Sequence, residues 1–326
     1  MIYIETGSTD AFFNFGLEYY FSAVKKLVEP VFLFWRTQPT LMVGKYQNTL
    51  EEIDQTYAEA HGIQVVRRMS GGGTIYTDPG GWQFTFIDYD GGDEIQFQAF
   101  IAPVVEALRA LGVPAEFNGR NDLLIRGKKF SGNAQYKLAG STVHHGSLLF
   151  DTDIEQMVRS TTVDDYKIIS KSIKSVRDRV TNVKDHLTDP MTMEEFKEHM
   201  VSYIMGDSSR RYELTQEDKA AIEAIAEERF RPWACRYGAN PKFSITKTGR
   251  FAGGKIEFRL EVRRGSITEA HVSGDFFGTA QADGLADALV GCPFRREDVE
   301  EALRSHGMEE AVYGITVEDM VQTIIG

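Results

Sequence analysis

The chain has 326 residues, 42% hydrophobic and 26% charged, with a formal net charge of −12. That length supports two domains with full hydrophobic cores, while the acidic balance argues against nonspecific binding to nucleic acid or anionic membranes. Cysteine occurs only at Cys235 and Cys292, which argues against a disulfide framework and makes the reducing cytoplasm the expected compartment.

Residues 1–5 carry neither a basic flank nor an apolar signal core, and no apolar run approaches ~20 residues, so neither export nor a transmembrane helix is expected. In chain order, the pattern predicts a helix over 11–27, strands at 31–35 and 41–43, a helix over 50–61 and a strand at 63–66. Strands follow at 74–76 and 83–87, then a helix ending at Leu111 before Gly112, with Pro103 marking a kink or a later start. Further strands fall at 123–125, 129–131 and 143–150, their β-branched and aromatic content bounded by glycine. Helices are predicted over 193–205 and 216–229. Gly238-Ala239-Asn240-Pro241 marks a boundary. Beyond it lie strands at 243–245, 255–263 and 267–276, then helices at 280–289, 296–305 and 317–325. The expected fold is α+β, with a large domain of mixed β-sheets flanked by helices over 1–240 and a small α/β domain over 241–326.

Residues 67–73 read Arg-Arg-Met-Ser-Gly-Gly-Gly. Three consecutive glycines cost conformational entropy, so the backbone there must need positions without Cβ atoms. Taken alone, this is a tight turn between two strands. Arg67, Arg68 and the Ser70 hydroxyl add donors suited to a phosphate or carboxylate, which favours an anion-cradling loop. Basic charge gathers in two further places. Residues 119–137 hold five basic residues against Asp122 alone, and residues 167–179 hold five against Asp178 alone. Each run alone is a solvated face; together with the arginines they suggest one shared anion site.

A hairpin turning at Arg126-Gly127 would bring Asn121 and Asp122 close to Lys129 and Ser131. Such a pair is either a surface ion pair worth ~0–1 kcal/mol or a site in which Asp122 holds Mg²⁺ and Lys129 neutralises developing negative charge. His144 and His145 are adjacent on a predicted strand and face opposite sides, so they do not chelate one metal, and no zinc site is expected. The first 234 residues contain no cysteine, which weighs against a thioester intermediate. Neither a Gly-x-Ser-x-Gly elbow nor a Gly-x-x-x-x-Gly-Lys-Ser/Thr phosphate loop is present.

Together these blocks resemble the lipoate–protein ligases. The matching segments are Arg67 to Gly73, Gly119 to Leu123, Lys129 to Ala134 and His144-His145-Gly146. Asn14 to Glu18, Gly44 to Asn48 and Ser175 to Asn182 also match, with Trp233, Tyr237-Gly238 and Phe251 to Glu257 in the carboxy-terminal part. They run in the family's order nearly end to end. The resemblance implies a biotin/lipoate ligase-like fold and condensation of lipoate with ATP to lipoyl-AMP. The lipoyl group then passes to a lysine of an acceptor domain in a 2-oxoacid dehydrogenase or the glycine-cleavage H protein.

The same resemblance implies Lys129 as the central site lysine, and Arg68, Ser70, Gly71, Gly72 and Gly73 as the loop around the intermediate, with Tyr76 beside it. It implies Asn121 and Asp122 for the nucleotide and Mg²⁺, and Ala134, His145 and Gly146 for the acyl pocket with Trp35 and Glu18. Arg177 and Thr181 would belong to a segment covering the adenylate. ATP, Mg²⁺ and lipoate are the implied ligands, with no zinc or haem, no nucleic acid and no membrane. Octanoyl or lipoyl transfer on the same fold, biotin–protein ligation and a non-catalytic acyl-adenylate-binding paralogue are the competing readings. The chain leaves the family pattern at Thr77-Asp78-Pro79-Gly80-Gly81, where a histidine and an asparagine are usual.

Overall fold

As a computed structural model, the protein is described over residues 1–47, 49–90, 96–161, 176–206, 210–237, 245–263 and 265–325, the side chains of Leu50 and Glu51 apart. Expectations placed on Asn48, Lys167, Lys171, Lys174, Ser175, the 238–241 boundary and residues 243–244 lie outside these. Among the described residues no helix is long and apolar enough to cross a membrane.

In chain order the first strands are Ile2–Ile4 (β1), Val31–Trp35 (β2), Thr40–Val43 (β3), Gln64–Arg67 (β4), Ile75–Thr77 (β5), Gly81–Asp88 (β6) and Ala115–Phe117 (β7). Asp122–Ile125 (β8), Lys128–Leu138 (β9), Ser141–Leu149 (β10), Arg211–Tyr212 (β11), Ile245–Phe251 (β12), Gly254–Arg263 (β13) and Ser266–Gly274 (β14) follow. The main sheet has the order β11-β1-β2-β6-β10-β9-β8-β7, and a smaller sheet has the order β4-β3-β5.

The main sheet is buried on both faces, so β2 is apolar at every position. Alternation along the strand sends Phe32 and Phe34 to one face and Val31, Leu33 and Trp35 to the other. On the first face, Phe34 stacks on Trp82 at 4.8 Å and Phe32 on Phe86 at 4.9 Å. Helix α1 (Ala11–Tyr19) supplies Phe15 and Leu17 to the opposite face, while α2 (Phe97–Ala110) and α3 (Met193–Met205) close the first. Helix α4 (Gln216–Ile225) crosses α1 at Gly16, where a Cβ would stand 2.8 Å from the Ile222 carbonyl oxygen.

The strands β12, β13 and β14 form an antiparallel meander. With α5 (Arg296–Ser305) and α6 (Val317–Ile325) it encloses its own core of Ile256, Phe258, Leu260, Leu285 and Val321. The two parts are joined by defined contacts. Gly274 N–H donates to the Tyr46 carbonyl at 2.7 Å, and the Tyr46 ring stacks on Phe276 at 4.5 Å. Arg120 Nη2 donates to the Gly253 carbonyl at 2.7 Å.

Differences from the sequence expectations have local causes. The helix predicted over 50–61 is two pieces, Thr49–Glu52 and Gln55–Ala60, because the Asp54 side chain caps the second by accepting from Tyr57 N–H at 2.8 Å. The helix predicted to reach residue 27 leaves α-geometry at Tyr20, where a wider turn lets Lys25 N–H reach the Tyr20 carbonyl at 2.8 Å. That turn brings Tyr20 Oη and Lys25 Nζ to the buried Asp218 carboxylate at 2.8 and 2.7 Å. Strand β9 runs through Gly132-Asn133-Ala134, residue types depleted in strands, because both its edges are paired. The short strands β1, β7 and β11 carry too little pattern to be predicted, and the helix Ile154–Thr161, although Ile154, Met157 and Val158 share one face, is only 8 residues long.

His144 and His145 do face opposite sides. His144 is fully buried beside Phe84, Phe97 and Phe100, stacked on Phe100 at 5.1 Å, and neither ring nitrogen has a hydrogen-bond partner. Burial pulls its pKa down to about 3, against ~6.5 for an unfolded histidine. Between those values the unfolded chain binds the extra proton, so stability falls as pH drops through that window. Going from pH 7 to pH 4 is expected to cost about 3 kcal/mol through this group. His144→Phe is expected to flatten that part of a stability–pH profile measured by urea unfolding.

Candidate active site

The hairpin between β8 and β9 turns at Arg126 and Gly127, with φ of +49° and +79°, the left-handed pair that a two-residue turn between twisted strands requires. One extra residue enters β9 opposite Leu123 and Leu124. The bulge drops Phe130 into the core and leaves Lys129 Nζ 2.7 Å from Asp122 Oδ1. Lys129 lies on the wall between two cavities.

The first cavity, about 110 Å³, lies between the main sheet and the smaller sheet. Its walls include Phe15, Trp35, Met42, Ala134, His145 and Phe277, with Lys129 and Asn121 at one side. Behind it lies a buried polar chain. Ser70 Oγ is 2.7 Å from His145 Nε2, and His145 Nδ1 is 3.2 Å from both Glu18 oxygens. Thr85 Oγ1 donates to Glu18 at 2.6 Å and receives Trp35 Nε1–H at 3.0 Å. Tyr136 Oη donates to the same carboxylate at 3.4 Å; burial, then Glu18, raises the Tyr136 pKa and keeps it a donor. Gly146 is obligatory, because a Cβ would meet the Phe84 ring at 2.3 Å and Asn133 Oδ1 at 2.4 Å.

The arginines before the glycines differ from expectation. Arg67 reaches the carbonyls of Gly44, Lys45 and Gln47 at 2.9, 3.2 and 2.7 Å and Thr49 Oγ1 at 2.6 Å. Arg68 donates to Ser70 Oγ at 3.1 Å and to the carbonyls of Met42, Gly71 and Gly73 at 2.5, 2.9 and 2.7 Å. Arg67 therefore clamps the 44–49 segment and Arg68 the glycine loop, so Arg68, although at the cavity wall, has most of its N–H groups engaged by the protein itself. Burial lowers the Arg68 pKa to about 10. A buried arginine surrounded by unpaired carbonyls takes those partners first, because an unsatisfied buried carbonyl is costly.

The glycines themselves meet residues far along the chain. Gly72 has φ +91°, its N–H donates to the Phe276 carbonyl at 2.9 Å, and a Cβ at Gly71 would stand 2.1 Å from that same oxygen.

The second cavity, about 570 Å³, opens on the other side of Lys129. Tyr76, Asp122, Ser131, Met157, Val176 and Arg179 are among its walls. Residues 176–181 are tied to it by backbone, since Thr181 N–H donates to the Lys129 carbonyl at 3.0 Å. Arg177 contributes its carbonyl, 3.2 Å from Lys128 Nζ, and Thr181 Oγ1 pairs with His186 Nε2 at 2.8 Å. Neither side chain is among the cavity walls; Arg179 is. Residues 77–81 are not among the walls of either cavity. They form a turn packed on 151–153, with Asp78 accepting from Gly80 and Asp153 N–H at 2.9 Å each.

Asp122 Oδ1 is buried and lacks a hydrogen-bond partner beyond its ion pair with Lys129. Among the described residues no three His, Cys, Asp or Glu side chains are grouped to hold a metal. Asp122 and Glu52 both line the larger cavity, a donor set that fits Mg²⁺, which commonly takes one or two protein carboxylates and completes its shell with water and substrate phosphates.

Residues 10–205 match the family described as lipoyl protein ligase A/B catalytic domain, and residues 240–324 match the bacterial lipoate protein ligase C-terminus. Lipoate–protein ligase 1 of Staphylococcus aureus is 42% identical, covering 92% of both chains. This chain is a lipoate–protein ligase family member. LplJ of Bacillus subtilis is 39% identical over 99% of this chain and all of its own. At the level of fold, P. falciparum LipL1 in complex with lipoate superposes with a TM-score of 0.80 at 20% identity, covering 99% of this chain and 98% of its own. A lipoate–protein ligase A bound with ATP gives 0.59 at 22% identity, over 73% and 97%. The enzyme's helix α4 falls between the two matched segments and packs on α1.

The structure brings together Lys129, Asn121, Ala134, His145, Gly146, Trp35 and the glycine loop, with Glu18 behind His145. Phe15, Met42, Gln83, Asn133 and Phe277 are among further walls of the first cavity that were not anticipated. Of these, Phe15 and Asn133 sat in conspicuous segments, Asn14 to Glu18 and Lys129 to Ala134.

Proposed function

We propose that this enzyme condenses lipoate with ATP to lipoyl-AMP and then passes the lipoyl group to a lysine of an acceptor domain. The observation that carries this reading is Lys129 on the wall between a small apolar cavity and a larger one that Asp122, Ser131 and Arg179 also line. An acyl chain in the first and a nucleotide in the second would meet at its ammonium. The neighbouring folds support the assignment, one being described in complex with lipoate and one bound with ATP.

In the first step the lipoate carboxylate attacks the α-phosphorus, forming the mixed anhydride while the bond to pyrophosphate breaks. Two anions must approach, and Lys129 offsets that repulsion. Mg²⁺ held by Asp122 would supply further charge neutralisation on the phosphates. In the second step a neutral acceptor amine attacks the acyl carbonyl and AMP leaves with the bonding pair. Lys129 again stabilises the developing charge, and it is an electrostatic stabiliser rather than a nucleophile. The catalytic part spans 1–240 and the accessory part 241–326.

Lipoyl domains of 2-oxoacid dehydrogenases or the H protein are the acceptors to test. With lipoate, Mg·ATP and such a domain, the acceptor mass is expected to rise by one lipoyl group only when ATP is present. Modification without ATP from an acylated carrier would favour the transferase reading, and no modification of a folded acceptor would overturn both. Arg126 and Lys128 are exposed beside the site. The initial rate is therefore expected to fall severalfold between about 50 and 300 mM salt. A rate flat across that range would exclude electrostatic docking there.

A further inference from the structure

Phe276 and Phe277 are neighbours in sequence but belong to different cores. Phe276 lies in the core of the carboxy-terminal part, under Tyr46. Phe277 lies in the core of the catalytic part, edge-on to Phe97 at 5.4 Å, and only 1% of it is exposed. Its ring is also part of the wall of the apolar cavity. The accessory part therefore sends one side chain through the glycine loop into the acyl site.

The loop is shaped to admit it. A Cβ at Gly72 would stand 2.8 Å from Phe277 Cε1, and one at Gly71 would strike the Phe276 carbonyl oxygen. Gly72 N–H donates to that carbonyl. Arg120 lies 5.9 Å over the Phe277 ring and holds Gly253 of the same part through its Nη2. Thus the glycines that looked like a ligand cradle also form the socket for a second-domain side chain.

We propose that Phe277 is an acyl-specificity residue, which sets the bore of the acyl cavity from the accessory part and makes acyl binding and accessory docking a single linked equilibrium. This rests on the lipoate reading above. A ligand that touches Phe277 binds the docked arrangement better than the undocked one, so it must stabilise docking by the same factor. Selectivity follows from packing, because one methylene more or less in an apolar pocket changes affinity by ~10-fold or more. Residues at a junction of two structural units are well placed for this, since small-molecule sites commonly lie at such junctions.

The test measures binding of lipoate, octanoate and 8-phenyloctanoate to the full-length chain by calorimetry without nucleotide. Phe277→Ala is expected to weaken lipoate at least about tenfold and to shift the lipoate-to-phenyloctanoate affinity ratio at least about tenfold toward the bulkier acid. Phe277→Leu, which keeps the wall apolar, should fall between the two proteins and guards against loss of fold in the alanine variant. Gly71→Ala, whose residue is not a cavity wall, should weaken lipoate through lost docking alone. An unchanged affinity ratio in both Phe277 variants overturns the proposal, including the case where all three acids lose affinity equally. Failure of the unaltered protein to bind any of the acids overturns the lipoate reading and this inference with it.

Discussion

Replacing Lys129 by alanine is expected to lower lipoate-dependent pyrophosphate exchange by about 10²–10³-fold while the fold survives. The magnitude is that of removing one preorganised donor aimed at developing negative charge. The β9 bulge fixes where the ammonium starts, 2.7 Å from Asp122 and beside both cavities. Its side chain is 39% exposed, so truncation removes little core packing. Lys129→Arg is not expected to restore the rate fully, because a planar fork presents its charge in a different place from a compact ammonium. Full exchange activity in folded Lys129→Ala would remove this residue from the chemistry.

Glu18→Ala is expected to destabilise the protein by about 3 kcal/mol. Glu18 is fully buried, and its carboxylate is shared by His145, Thr85 and Tyr136. Alanine leaves these groups without their acceptor and opens space beneath α1. Glu18→Gln keeps a carbonyl acceptor and most of the volume, so it should retain more than half of that stability. Urea unfolding of the two variants makes the comparison, and equal stabilities would show that neither the retained carbonyl acceptor nor the retained volume contributes. Because the chain runs through His145, on the cavity wall, the alanine variant should also bind lipoate more weakly.

The most legible parts of the site were those set by short-range chemistry. Arg126-Gly127 announces a two-residue turn, and once the turn is placed, Asp122 and Lys129 are brought together by strand geometry. The opposed faces of His144 and His145 follow from the same period of two. What escaped depends on burial and long-range contact. Arg67 and Arg68 look like anion donors because charge is visible in a sequence, whereas the carbonyls that engage them are not. Phe277 has no signal at all, since nothing near it indicates that it leaves its own core for another. The Glu18–His145 pair joins residues 127 positions apart. Likewise Gly71 and Gly72 stand out as positions intolerant of Cβ, but the nearest atoms they avoid belong to Phe276 and Phe277 respectively. The altered stretch 77–81, conspicuous in the sequence, packs against 151–153 and is not part of the walls of the two cavities.

Exchange of labelled pyrophosphate into ATP tests the central claim most directly, because it isolates adenylate formation from acceptor docking. With the intact protein and Mg²⁺, exchange is predicted to depend on added lipoate or octanoate and to be absent without either. Folded protein that supports no exchange with both acids present, or exchange that proceeds equally without them, would contradict the account.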